Sequence, residues 1–191
     1  MPSANREMRR GRDSELTQAR IIDAVIHLLK KSGLTDWTVD QVARRAGCAK
    51  GLVNYHFSSK ATLLSLTAAQ FRSARTASRL LALRHPGTEA LDRLWAVLVE
   101  EARAGGFQLW LSLLAYPPTR GNATVTASER QSLIAGAAQA LTLERGHPAL
   151  SMLPPALDGL QLQLHQGVPE TDVREQYDRF WLDLLTAAGA G

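Results

Sequence analysis

Residues 38–60, T-V-D-Q-V-A-R-R-A-G-C-A-K-G-L-V-N-Y-H-F-S-S-K, constrain this chain more than any other stretch. Thr38 is a favoured helix N-cap, and Gln41 three residues on completes a capping-box pattern. Val39, Val42 and Ala43 then recur at i, i+3 and i+4, an apolar stripe with Arg44 and Arg45 turned away from it. Gly47 stands where that helix must stop, because glycine takes a positive φ without steric cost. A second short helix starts near Lys50 and carries Leu52, Val53, Asn54, Tyr55 and His56. Two short helices around a tight turn form a helix-turn-helix, and such a motif places its second helix in the DNA major groove.

Charge distribution agrees with a polyanionic partner. The net charge of the 191-residue chain is only +4, yet residues 1–75 carry +7 and residues 76–191 carry −3. All four lysines (Lys30, Lys31, Lys50, Lys60) lie in the first part. A basic patch that coincides with a helix-turn-helix reads as an electrostatic footprint for phosphates. Residues 1–13, with Arg6, Arg9, Arg10 and Arg12 among Pro2, Asn5 and Gly11, are expected to form a mobile basic arm. That arm is either a solubilising tail or a reach along the DNA. The apolar fraction of 45% is ordinary for a folded domain. With Cys48 as the sole cysteine, no intramolecular disulfide is available. The basic start lacks the apolar segment of a signal peptide, and no apolar run approaches a membrane span, so a cytoplasmic protein is expected.

The remaining sequence is helical throughout. Leu16, Ala19, Ile22, Val25, Ile26 and Leu29 line one face of a helix over 14–32, able to cover the motif. Trp37 is expected under the helix it precedes. A long helix runs from Lys60 to about Arg84, ended by His85-Pro86-Gly87. Further helices are expected over 88–104, 107–116, 125–145, 149–166 and 170–188, with a polar loop at 119–124. Pro154-Pro155 either interrupt or restart the fourth of these. The fold class is therefore all-α, about nine helices: a helix-turn-helix domain over 14–60, and a helical domain over 61–191.

The run from Ile21 to Leu64 resembles the N-terminal domain of the TetR family of bacterial transcriptional regulators. Its T-V-x-x-V-A-x-x-A-G turn, Y-H-F close and S-K-x-x-L-L follow in order. Many members carry Tyr where this chain has Asn54. The resemblance implies a regulator, most often a repressor, that binds a pseudo-palindromic operator on double-stranded DNA as a homodimer and answers to a small molecule. The alternative is a helix-turn-helix protein without an effector, an activator or an architectural protein.

Residue by residue, Thr38, Ala49, Lys50, Gly51, Asn54, Tyr55, His56 and Lys60 are the expected DNA-binding positions. Asn54 suits adenine N6 and N7, while Lys50 suits guanine or a phosphate. Gly51 permits close backbone approach. Tyr55 and His56 come late in the helix and suit phosphate. Lys60, behind a cap at Ser58 or Ser59, would hold a phosphate with the free amides of the next helix, and Thr38 would add a contact at the start of the first.

For an apolar or aromatic effector the resemblance implies a pocket, with Trp95, Phe107, Trp110, Leu111, Leu114, Tyr116 and Met152 as lining. Gln108, Gln161, Gln163 and His165 are its polar candidates. Leu153, Leu157, Leu160 and Leu164, with Tyr177, Phe180, Trp181 and Leu184, form two stripes. They are expected to meet their copies across a dimer interface. Five scattered histidines, no paired carboxylates and no phosphate loop argue against an enzyme. No metal or cofactor is expected, and association with the bacterial nucleoid would follow from operator binding alone.

Overall fold

The computed structural model describes the backbone of residues 3–34, 36–114, 122–144 and 146–189. Side chains are described for 12–34, 36–114, 127–144 and 146–188. Among these residues there are nine α-helices and no strands: α1 (Ser3–Ser32), α2 (Val39–Ala46), α3 (Lys50–His56), α4 (Lys60–Ala82), α5 (Gly87–Arg103), α6 (Gly106–Leu114), α7 (Asn122–Ala140), α8 (Leu153–His165) and α9 (Glu170–Gly189). The chain divides into two compact units, Met1–Phe71 with Ser112–Pro117, and Arg72–Leu111 with Pro118–Gly191. The division thus falls within α4, eleven residues beyond the expected boundary at 60.

In the first unit, α1 lays Ile21, Ile22, Ala24, Val25 and Leu29 against the motif, where they are buried with Val42, Ala43, Ala46, Val53 and Phe57. Trp37 is buried beneath them, as its place before the cap suggested. Leu16 departs from the expected apolar face and is 58% exposed. α1 also starts at Ser3, within the segment expected to be a non-helical arm. Ala4, Glu7, Met8 and the arginines are good helix formers, and a single Gly11 costs only about 1 kcal/mol in a long helix.

The second unit has its own core. α5 supplies Leu91, Leu94, Trp95, Leu98 and Val99, α7 supplies Leu133, Ala137 and Ala138, and α8 and α9 complete it. A 3₁₀ turn over Pro148–Met152 precedes α8, and Pro154-Pro155 occupy its first turn. There a missing N–H costs nothing, so the proline pair starts the helix rather than breaking it. α7 spans Asn122–Ala140 rather than 125–145, and Thr142 beyond it turns with φ 56°. The expected stop at Tyr116 to Pro118 and residues 119–121 of the expected loop lie outside the described residues. No helix among the described residues is long and apolar enough to cross a membrane.

Candidate nucleic-acid interface

The reading helix is positioned by two local devices. At the start of α2, Thr38 Oγ1 accepts from the Gln41 N–H at 3.2 Å and Thr38 N–H donates to Gln41 Oε1 at 2.7 Å, the reciprocal capping box. At its end, Gly47 has φ 65° and ψ 40°. Gly47 N–H then reaches Arg44 O at 3.3 Å and Cys48 N–H reaches Ala43 O at 3.0 Å, the pair of bonds of a Schellman motif. These bonds set the chain's direction into α3.

α3 is anchored from below by Val53 and Phe57, 1% and 3% exposed. Its opposite side presents Ala49, Lys50, Gly51, Asn54 and Tyr55, all exposed, with Tyr55 at 81%. Nothing lies within 4 Å of where a Cβ on Gly51 would stand. No packing inside the chain therefore demands glycine, and one inside a helix costs about 1 kcal/mol against alanine.

The basic side chains are held by neighbours. Lys50 Nζ pairs with Asp40 at 2.9 Å, a solvent-exposed contact. His56 is half-buried, with Nδ1 3.4 Å from the Gln18 amide and its ring 5.3 Å from Tyr55. Lys60 Nζ donates to Trp37 O at 2.9 Å and lies over the Trp37 ring. Ser59, rather than Ser58, caps α4: its Oγ accepts from the Thr62 N–H at 3.0 Å. All eight expected positions fall in the first unit, on or beside α2, α3 and the start of α4. Beside these positions, Leu52 is 37% exposed on the same helix, and the pairing of Asp40 with Lys50 was not legible in the sequence, since Asp40 is marked only as an acidic residue in the first turn of α2.

The comparisons with known proteins agree with this geometry. The family model "Bacterial regulatory proteins, tetR family" matches residues 21–66. The HTH-type transcriptional regulator BetI of Cronobacter sakazakii is 30% identical over 162 residues, 78% of this chain and 79% of that protein. This chain belongs to the TetR family. Among solved structures, a TetR-family member from Streptomyces coelicolor A3 aligns at 27% identity and TM-score 0.63, covering 86% of this chain and 97% of its own. The multidrug binding protein EbrR, complexed with ethidium, aligns at 25% identity and TM-score 0.63 with the same coverage. The protein is accordingly a TetR-family DNA-binding transcriptional regulator and not an enzyme.

The second unit of this TetR-family regulator uses several residues differently from the sequence expectation. Gln161, read as an effector anchor, is fully buried and saturated by its own chain. Its Oε1 accepts from Arg75 Nη2 at 2.5 Å and Arg79 Nη2 at 2.6 Å, and its Nε2 donates to Glu101 at 2.8 Å and to Leu98 O at 3.2 Å. Arg75 also pairs through Nε with Glu101 and at 3.0 Å with Asp158. Arg79 is 4% exposed, its Nε has no partner, and burial, with Arg75 beside it, lowers its pKa to about 10. Trp95 is likewise core, 5.2 Å from the Tyr177 ring.

The other residues expected to line a pocket are divided between the two units. Phe107 is buried and Trp110 half-buried, 5.3 Å apart, with His165 exposed 6.1 Å from Phe107. Leu111 is half-buried, while Met152 (60%) and Leu114 (56%, in the first unit) are exposed. Tyr116 lies outside the described residues.

The stripes on α8 and α9 are also accounted for within one chain. Leu153, Leu157, Leu160, Tyr177, Trp181 and Leu184 are at most 6% exposed, and Tyr177 Oη donates to Leu91 O at 2.7 Å. Side chains buried this far have no face left for a second copy. Leu164 and Phe180 remain half-buried, and the outward apolar groups are Leu162 (39%) and Leu182 (60%).

Proposed function

We propose that this regulator is a homodimeric repressor, released from a pseudo-palindromic operator when a small organic molecule binds its second unit. The exposed front of α3 carries the reading: Lys50, Gly51, Asn54 and Tyr55 face outward while Val53 and Phe57 fix the helix. Asn54 reads a base edge, Lys50 leaves Asp40 for guanine or phosphate, and Lys60 and Thr38 sit on the backbone. One recognition helix supplies little specificity, so two copies are needed. The copies meet through the outer sides of α8 and α9, around Leu162, Phe180 and Leu182, in place of the buried stripes. Control enters through α4, which begins in the first unit and carries Arg75 and Arg79 in the second. EbrR, solved with ethidium and with imidazole, supports an organic ligand for a chain of this kind. Fluorescence-anisotropy titration of DNA adjoining the gene, with sedimentation of wild type and Leu182→Glu, tests this. A dimer that Leu182→Glu splits, with operator affinity lost together with it, is expected. A wild-type monomer that binds the operator as tightly would end the dimeric reading.

A further inference from the structure

Arg75 is surrounded as a bound cation would be. Its guanidinium carbon lies 4.3 Å from the centre of the Trp110 ring and 6.0 Å from that of Phe107. Glu101, Asp158 and Gln161 Oε1 accept its N–H groups from the other sides. Aromatic faces with carboxylates and an amide oxygen are the groups that recognise organic cations. The tenant is not locked in. Asp158 keeps 30% of its side-chain exposure, Trp110 is half-buried, and Arg75 hangs on a long flexible stem that can carry its head to water. Arg75 itself keeps 9% side-chain exposure, against 5% for Arg79.

We propose that Trp110, Phe107, Glu101 and Asp158 form a binding site for an organic cation, quaternary ammonium or guanidinium, which enters by displacing the Arg75 guanidinium. The proposal rests on the effector-controlled reading above and names the chemical class of that effector. Charge balance selects the class. The cluster holds two guanidinium groups, Arg75 and Arg79, against two carboxylates, Glu101 and Asp158. Exchange of one cation for another leaves that balance intact. A neutral ligand in the same place would leave two carboxylates to Arg79 alone, about one negative charge uncompensated, and an added anion would leave about two, in a partly buried site. Displacement also has a defined mechanical result: α4 loses its Arg75 ties to α5 and α8 and keeps those of Arg79.

Isothermal titration of the full-length protein with benzyltrimethylammonium tests the site, with benzyl alcohol and benzoate as neutral and anionic aromatic controls at equal ionic strength. Saturable binding of the cation alone is expected. Arg75→Ala, which removes the tenant, should bind the cation about tenfold tighter and should also take methylguanidinium, because no fraction of sites is self-occupied. Asp158→Asn, at the more exposed acid, should weaken binding about tenfold through the lost charge and guards against failure of Arg75→Ala to fold. The proposal is overturned if the wild type does not bind the cation, if either control binds equally well, or if the folded variants leave cation affinity unchanged. A parallel operator titration separates the two readings. Cation binding without operator release keeps this site and removes its effector role. Operator release by a neutral or anionic compound, without cation binding, removes the site and keeps effector control.

Discussion

Lys60 Nζ donates to the backbone carbonyl of Trp37 at 2.9 Å and stands 4.2 Å from the centre of its ring. The first residue of α4 is thereby fastened to the residue just before the Thr38 cap. Both helix N-termini expected to meet phosphate are held together by one charged side chain.

Lys60→Ala should therefore act in two ways. Loss of the ring contact and of one hydrogen bond should cost about 1 kcal/mol of stability, a fall in Tm of roughly 2–4 °C. DNA affinity should drop alike for operator and random duplex, and the salt dependence should lessen by about one phosphate contact. Thermal melts and anisotropy at several salt concentrations measure both.

Asn54→Ala should behave in the opposite way. Asn54 is exposed, so stability should hold. Discrimination between operator and its single-base variants should shrink by about 1–3 kcal/mol at one position in each half-site. Equal losses on operator and random DNA would show that Asn54 does not read a base.

Helix α2 should be sensitive at both ends. At φ 65°, Gly47→Ala forces a Cβ into the left-handed region at a cost of about 1–2 kcal/mol, and Thr38→Ala removes half the capping box for about 1 kcal/mol. The space around Gly47 is open, so the penalty is one of backbone conformation and not of collision. Denaturant midpoints report it, and Gly47→Asn should recover part of the loss.

Tyr177 links stability to pH. Its pKa is raised above the ordinary 10.0, chiefly by burial. The protonated phenol is the form the folded core accepts. Its contribution is therefore complete below pH 10 and is lost as pH rises from there towards the elevated folded value. Tyr177→Phe should cost about 1 kcal/mol at neutral pH through the lost bond to Leu91 O, and should show a smaller decline above pH 10. Urea midpoints measured across that range in both proteins check the sign.

The helix-turn-helix was legible because its determinants are neighbours in sequence. Thr38 and Gln41, or Gly47 and the two carbonyls it helps to cap, act across a few residues. Burial by distant partners was not legible. Leu153, Leu157, Tyr177 and Trp181 announce helix faces that must be covered, but periodicity does not say whether the cover is the same chain or a copy. Here the same chain supplies it. Gln161 looked like a free polar anchor because Arg79 is 82 positions away and Leu98 is 63. The start of α1 was not legible for the converse reason: Pro2, Asn5 and Gly11 disfavour a helix one by one, but the helix formers around them outnumber them.

A dimer whose two α3 helices read base sequence should select its own operator from random DNA. Selection of random duplexes on the purified protein, followed by sequencing, tests it most directly. An enriched pseudo-palindrome is expected, its half-sites about 10 base pairs, or a multiple of that, apart, with one position relaxed in the Asn54→Ala selection. Recovery of no common motif, or of a single half-site with no symmetric partner, would contradict it.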